Sequence, residues 1–157
     1  MKNNKTVYVT KEGHEKLIEE QNNLIHNVRK EVIEELSAAR DQGDLSENAD
    51  YDAARDRQGK VEARIKQLEE MLKNIKIIEE SKGSSKVVRL GSKVTVLDKE
   101  LNEETTYSIV GSVEADPLNG KLSNETALAQ AINGKKVGDT ATVAVEDAYE
   151  VEILEVN

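Results

Sequence analysis

Apolar residues recur at helical spacing through the first half of the chain and alternate with polar ones through much of the second. Ile18, Ile25, Val32 and Ala39 stand seven apart, and Leu17, Leu24, Val28 and Leu36 widen the stripe. Thr10 precedes them as an N-cap for a helix starting at Lys11. A second stretch is more regular. Val61, Ile65, Leu68, Leu72 and Ile75 advance by alternating steps of four and three, with Ala54 one heptad earlier. That is the seam of a coiled coil. Joined by a short turn, the two stretches can bury their seams on each other as an antiparallel hairpin. A helix from Lys11 to about Arg40 would be roughly 45 Å long.

The pattern changes between Glu79 and Val88, where Ser81, Gly83, Ser84 and Ser85 read as a linker. The expected division is a coiled-coil domain over 1–80, a linker over 81–86 and a second domain over 87–157. Alternation predicts strands at Lys93–Leu97, Thr105–Val110, Thr140–Val145 and Glu150–Val156. A short helix, Ala127–Ile132, is stopped by Asn133-Gly134. "DPLNG" (116–120) and "VGD" (137–139) are turn signals. The fold class is therefore α+β: a long antiparallel helical hairpin, then a small, mostly antiparallel sheet with one short helix on a face.

Composition narrows the chemistry. Apolar residues are 37% and charged residues 34% of the 157, too charged for one compact core and suited to an exposed rod beside a small domain. With no Phe or Trp, the core has to be aliphatic. The absence of Cys excludes disulfides and cysteine-ligated zinc. Two histidines, His14 and His26, make a His-based metal site improbable. No apolar run has the length of a signal peptide or membrane span, so the expected compartment is the cytoplasm. The net charge is −9 and neither half is basic. That argues against tight non-specific nucleic-acid binding and favours a partner with a positive surface or a bound metal.

The turn between the helices is where the charge is unusual. "ARDQGDLSENADYDAARDRQ" (39–58) contains Asp41, Asp44, Glu47, Asp50, Asp52 and Asp56. Part of this is ordinary helix punctuation: Gly43 can end the first helix in a left-handed conformation. Asp44 can cap the second, with Glu47 at the capping-box position. Yet a cap needs one carboxylate, and here several like charges cluster with nothing basic inside the turn; Arg40 and Arg55 only flank it. Oxygen-only ligands on an exposed tip suit a hard cation such as Mg²⁺. Two or three carboxylates rarely hold that ion alone, so the tip reads as half a metal site completed by a partner.

The segment "AARDQGDLSENADYDAARDRQGKVEARIKQLE" resembles the coiled-coil tip of the Gre transcript cleavage factors of bacterial RNA polymerase, and is more like the GreA branch than the GreB branch. The similarity extends to "VTKEGHEKL", "GSKVTVLD", "TYSIVGSVEADPLNGKLS" and "GKKVGDTATV". It implies a second domain similar to FK506-binding proteins that docks at the mouth of the polymerase secondary channel, while the hairpin enters the channel. It implies that Asp44 and Glu47 act at the catalytic centre, holding the second Mg²⁺ and an attacking water so that the polymerase hydrolyses its own backtracked RNA. No cofactor is expected on the chain alone, and the chain is expected to be an accessory factor rather than an enzyme. The expected partners are RNA polymerase and the nascent RNA 3′ end, with no membrane, and the chain is expected to be a monomer.

Four further tip residues match the family motif: Asn48 and Tyr51, with Tyr51 able to stack on RNA or to pack on the first helix, and Arg40 and Arg55 at basic positions beside the exiting RNA. Arg57, Lys60 and Arg64 either extend that stripe or form a solvated flank. The chain departs from the family where a Ser-Pro pair is replaced around Glu125-Thr126 and where "VEDAY" replaces a Pro-Gly turn. With only Tyr107 and Tyr149 in this half, prolyl isomerase activity is not expected. The competing readings are an inhibitor entering the same channel and a coiled-coil scaffold or chaperone. An intact "GDLSEN" argues against the inhibitor.

Overall fold

The computed structural model describes residues 5–44, 48–79 and 86–157. The chain divides into two compact units, one of residues 14–74 and one combining residues up to Gly13 with those from Ile75 onward. The architecture is α+β.

The first long helix is continuous but not uniform. It comprises α1 (Lys11–Asn23), a π-helical segment (Leu24–Val28) and α2 (Arg29–Asp41). After the turn, α3 (Ala49–Lys73) returns beside α2. Val32, Leu36, Ala54, Val61 and Ile65 form the hairpin core, with Leu24, Ile25, Val28 and Tyr51 partly buried against it. The wide π turn holds one extra residue and so shifts the helix phase. Leu17 is consequently buried while Ile18 is exposed, and the expected seven-residue row Ile18–Ile25–Val32–Ala39 is corrected by one position at its start. The second seam is corrected at its other end. α3 stops at Lys73, Asn74 leaves helical geometry at φ −115°, and Ile75 is in a strand instead. The β-branched run "IKII" favours that outcome.

That strand, β2 (Ile75–Ile78), pairs in parallel with β1 (Val7–Thr10), Val7 opposite Ile75 and Thr10 opposite Ile78. β1 runs directly into α1 through a cap built twice over. Thr10 Oγ1 accepts a hydrogen bond from Gly13 N at 3.1 Å. The Glu114 carboxylate accepts from Thr10 N and from Thr10 Oγ1, both at 2.6 Å. A Cβ on Gly111 would lie 1.8 Å from Tyr8 O, so only glycine permits the backbones to approach this closely.

The second sheet has the order β5-β4-β3-β7-β6, from β3 (Lys93–Asp98), β4 (Glu103–Val110), β5 (Lys121–Ser123), β6 (Thr140–Val143) and β7 (Tyr149–Val156). It is antiparallel except for β5, which runs parallel to β4. The 3₁₀ turn Pro117–Asn119, closed by Gly120 at φ +70°, makes that reversal possible. One face packs on α4 (Ala127–Ile132) through Val94, Val96, Ile109, Ile132, Val151 and Ile153. Thr126 caps α4 by accepting from Ala129 N at 3.2 Å, and the neighbouring Glu125 pairs with Lys5 Nζ at 2.5 Å. Glu125 and Thr126 thus have local structural roles. No helix among the described residues is long and apolar enough to cross a membrane.

Candidate functional site

The turn is assembled from the end of α2 and the start of α3. Gln42 N and Gly43 N donate to Ala39 O and Arg40 O, both at 3.3 Å, and Gly43 breaks the helix at φ +112°. Nothing lies within 4 Å of where its Cβ would be, so the need for glycine is conformational rather than steric. Asp41 and Asp44 are exposed around this break. Glu47, the other expected carboxylate, lies outside the described residues. Asp50 is exposed in the first turn of α3, where the helix dipole favours a negative charge.

The cap of α3 is Asn48, a correction to the reading that gave it to Asp44. Asn48 Oδ1 accepts from Tyr51 N at 3.0 Å, and its Nδ2 donates to Ala39 O at 2.6 Å. One side chain therefore satisfies a free N–H of α3 and a terminal carbonyl of α2, and ties the two helices together. The capping-box spacing of Asp44 and Glu47 hid this; Asn immediately before the helix was the available signal.

Tyr51 is half-buried against the hairpin core, and the Arg40 guanidinium sits 5.9 Å from its ring centroid, within cation–π range. Arg55 is exposed and enters none of the ion pairs formed among the described residues. The other cations of the expected stripe are engaged. Arg57 pairs with Glu31 at 3.2 Å and with Glu35. Lys60 pairs with Asp56 at 2.9 Å. Arg64 grips Glu20 through two bonds of 2.6 and 2.9 Å, and Arg29 grips Glu62 in the same manner at 2.7 and 2.9 Å. Hydrogen bonding to their carboxylates raises Arg29, Lys60 and Arg64 above their ordinary pKa values. The bonds of Arg29, Arg57 and Arg64 cross between the helices. Arg40 and Arg55 are thus the basic residues near the tip whose charge is not spent on a carboxylate among the described residues.

Among those residues, no three His, Cys, Asp or Glu side chains converge as a metal site. Two family descriptions match the chain: the N-terminal part of transcription elongation factors over residues 7–77, and the C-terminal part of GreA/GreB transcription elongation factors over 83–157.

The chain belongs to the GreA/GreB transcription elongation factor family.

It is similar to the transcription elongation factor GreA of Mesoplasma florum, at 50% identity over 98% of this chain and 99% of that protein. The GreA of Geobacillus kaustophilus is 51% identical over 91% of this chain and 90% of its own length. Among solved structures, the GreA factor homolog Gfh1 of Thermus thermophilus matches at 26% identity, covering 98% of this chain and 99% of that one with a TM-score of 0.44. The likeness in overall shape is too weak to add to the relation in sequence. Within this Gre-family chain, Arg40, Asp44, Asn48, Tyr51 and Arg55 all fall in or beside the turn. The link from Asn48 to Ala39 is what sequence reasoning missed.

Proposed function

We propose that the chain binds bacterial RNA polymerase through its secondary channel and stimulates endonucleolytic cleavage of backtracked nascent RNA, so that arrested complexes resume with an aligned 3′ end. In this reading the residues of 1–80 enter the channel, those of 87–157 dock at its mouth, and 81–86 join them. The chain acts in the cytoplasm, as a monomer, and is not itself the enzyme.

The observation that supports the reading is the acidic turn of a braced helical hairpin, in which Asp41 and Asp44 are exposed beside the bond from Asn48 to Ala39. Asp44 and Glu47 offer only oxygen ligands, which suits Mg²⁺, but two carboxylates fall short of its roughly six ligands, so the polymerase has to supply the rest. In the polymerase centre, paired ions of this kind supply an activated water and stabilise the leaving oxygen. The contribution of this chain is to add negative charge where the cation is held and to accept a hydrogen bond from the attacking water, orienting it. The interhelical ion pairs and the Asn48 bond limit how far the ends of the turn wander, which is the entropic part of the effect. Arg40 and Arg55 face phosphates of the displaced RNA, and Tyr51 supports Arg40 from beneath.

The test is a defined backtracked elongation complex with labelled RNA. The expected result is strong stimulation by the chain that is lost in Asp44→Asn/Glu47→Gln while binding is retained. Tight binding without stimulation would favour the channel inhibitor, and no binding would favour the scaffold.

A further inference from the structure

The strand-rich unit contains a small cavity that takes no part in the proposed cleavage chemistry. It measures about 140 Å³ and is lined by Asp98, Glu103, Tyr107, Leu128, Tyr149 and Val151, with contributions from neighbouring strand positions. Small-molecule sites are typically ~300–1,000 Å³, so this volume admits a single side chain rather than a metabolite. The two aromatic residues of this half of the chain, too few for an isomerase pocket, are both here.

The chemistry of the lining is specific. Asp98 and Glu103 are directly opposite partners at the end of the β3–β4 pair, which places their carboxylates side by side. Asp98 Oδ1 is occupied, accepting from Glu100 N at 2.9 Å and Leu101 N at 3.1 Å, so Oδ2 remains for a ligand. Neither tyrosine hydroxyl has a hydrogen-bond partner among the described residues. Burial raises Tyr149 above the ordinary tyrosine pKa, with Tyr107 and Asp98 adding to the effect, which places all three groups in one electrostatic environment. No Lys or Arg lines the cavity. The neighbouring Lys99 donates instead to Thr140 Oγ1 at 3.3 Å. Leu101, 69% exposed, offers an apolar edge at the rim.

We propose that this cavity binds an arginine side chain presented by a partner protein. Two aromatic rings attract a cation and two carboxylates complete the charge. A guanidinium can stack on a ring and bond carboxylates in its own plane, whereas an ammonium can do neither as well. Val96, Val151 and Leu128 receive the methylene stem. The inference rests on the proposed function only in naming RNA polymerase as the protein that supplies the arginine.

Two measurements separate the parts. The first titrates the full chain with N-acetyl-arginine-methylamide and follows the Tyr107 and Tyr149 ring resonances. Saturable shifts are expected, weakened about tenfold or more with the citrulline analogue and in Asp98→Asn/Glu103→Gln. The Asp98→Asn change keeps an acceptor oxygen for the turn, and Tyr149→Leu provides a second variant should the double one unfold. Rings that do not respond, or respond equally to citrulline, overturn the site. The second compares polymerase half-saturation in the cleavage assay. The double variant is expected to need about tenfold more factor for the same cleavage rate at saturation. An unchanged half-saturation would overturn the polymerase as the source of the arginine. Absence of cleavage with the unaltered chain would sink the proposed function while the first measurement still decides the cavity.

Discussion

Asn48 Nδ2 donates to the Ala39 carbonyl at 2.6 Å, so the residue that starts α3 also fastens the last turn of α2. The acidic turn is thereby clamped at both ends by one amide. Asn48→Ala should cost about 1 kcal/mol through the lost cap, read as a lower urea midpoint, and should slow cleavage more than it weakens polymerase binding. Asn48→Asp keeps the acceptor for Tyr51 N but turns a carboxylate oxygen toward the Ala39 carbonyl. It should restore stability only in part and leave cleavage impaired. Full cleavage by both variants would show that the clamp has no part in presenting the carboxylates.

Gly43→Ala tests whether the break in the first helix depends on backbone conformation. The position has φ +112° with open space around it, so the cost comes from the dihedral alone, about 1 kcal/mol. Thermal unfolding should report the loss. An unchanged midpoint would mean that the turn relaxes without penalty.

The placement of Arg40 over Tyr51 predicts a graded series. Tyr51→Phe keeps ring and packing and should unfold at the same urea concentration. Tyr51→Ala removes a half-buried ring from the hairpin core and should cost ~2 kcal/mol, below the ~3–5 expected for a fully buried aromatic. Arg40→Ala should lower stability by less than ~1 kcal/mol yet slow cleavage, if its proposed role is toward RNA.

Tyr149 gives an alkaline signature. Its folded-state pKa is raised by burial first and by Tyr107 and Asp98 second, so in the folded protein it keeps its proton at a pH where the unfolded chain has released it. Protons bound by the folded state exceed those of the unfolded state in that window, and stability falls as pH rises beyond ~10. Phenolate absorbance should show one late-titrating tyrosine that disappears in Tyr149→Phe, and that variant should lose part of the alkaline sensitivity.

Much of this was legible from residue order because the strongest signals are periodic. The 61–72 seam, the Thr10 cap, the α4 boundaries and the strands β3, β4 and β7 follow from local pattern and end signals, as does β6, although it stops at Val143 rather than Val145. β1 and β2 were not legible, since each gains its pairing from a segment about 70 positions away in the chain. The π segment was also hidden: nothing in "LIHNV" announces an extra residue, yet it moves the buried position from Ile18 to Leu17. At the tip, the acidic residues stood out by charge, whereas the function of Asn48 depended on a carbonyl nine residues earlier that no spacing rule indicates. The sequence left open whether Arg57, Lys60 and Arg64 extend a basic stripe or form a solvated flank, because the carboxylates opposite Arg57 and Arg64 are brought there only by the pairing of the helices.

In the proposed function the tip carboxylates raise metal occupancy in the polymerase. The most direct measurement is the Mg²⁺ concentration for half-maximal cleavage of a backtracked complex, with no factor, with this chain and with Asp44→Asn. The chain should lower that concentration several-fold, and Asp44→Asn should return it to the value without factor while still binding. Faster cleavage at an unchanged Mg²⁺ requirement, equal for both proteins, would contradict this role of the tip carboxylates.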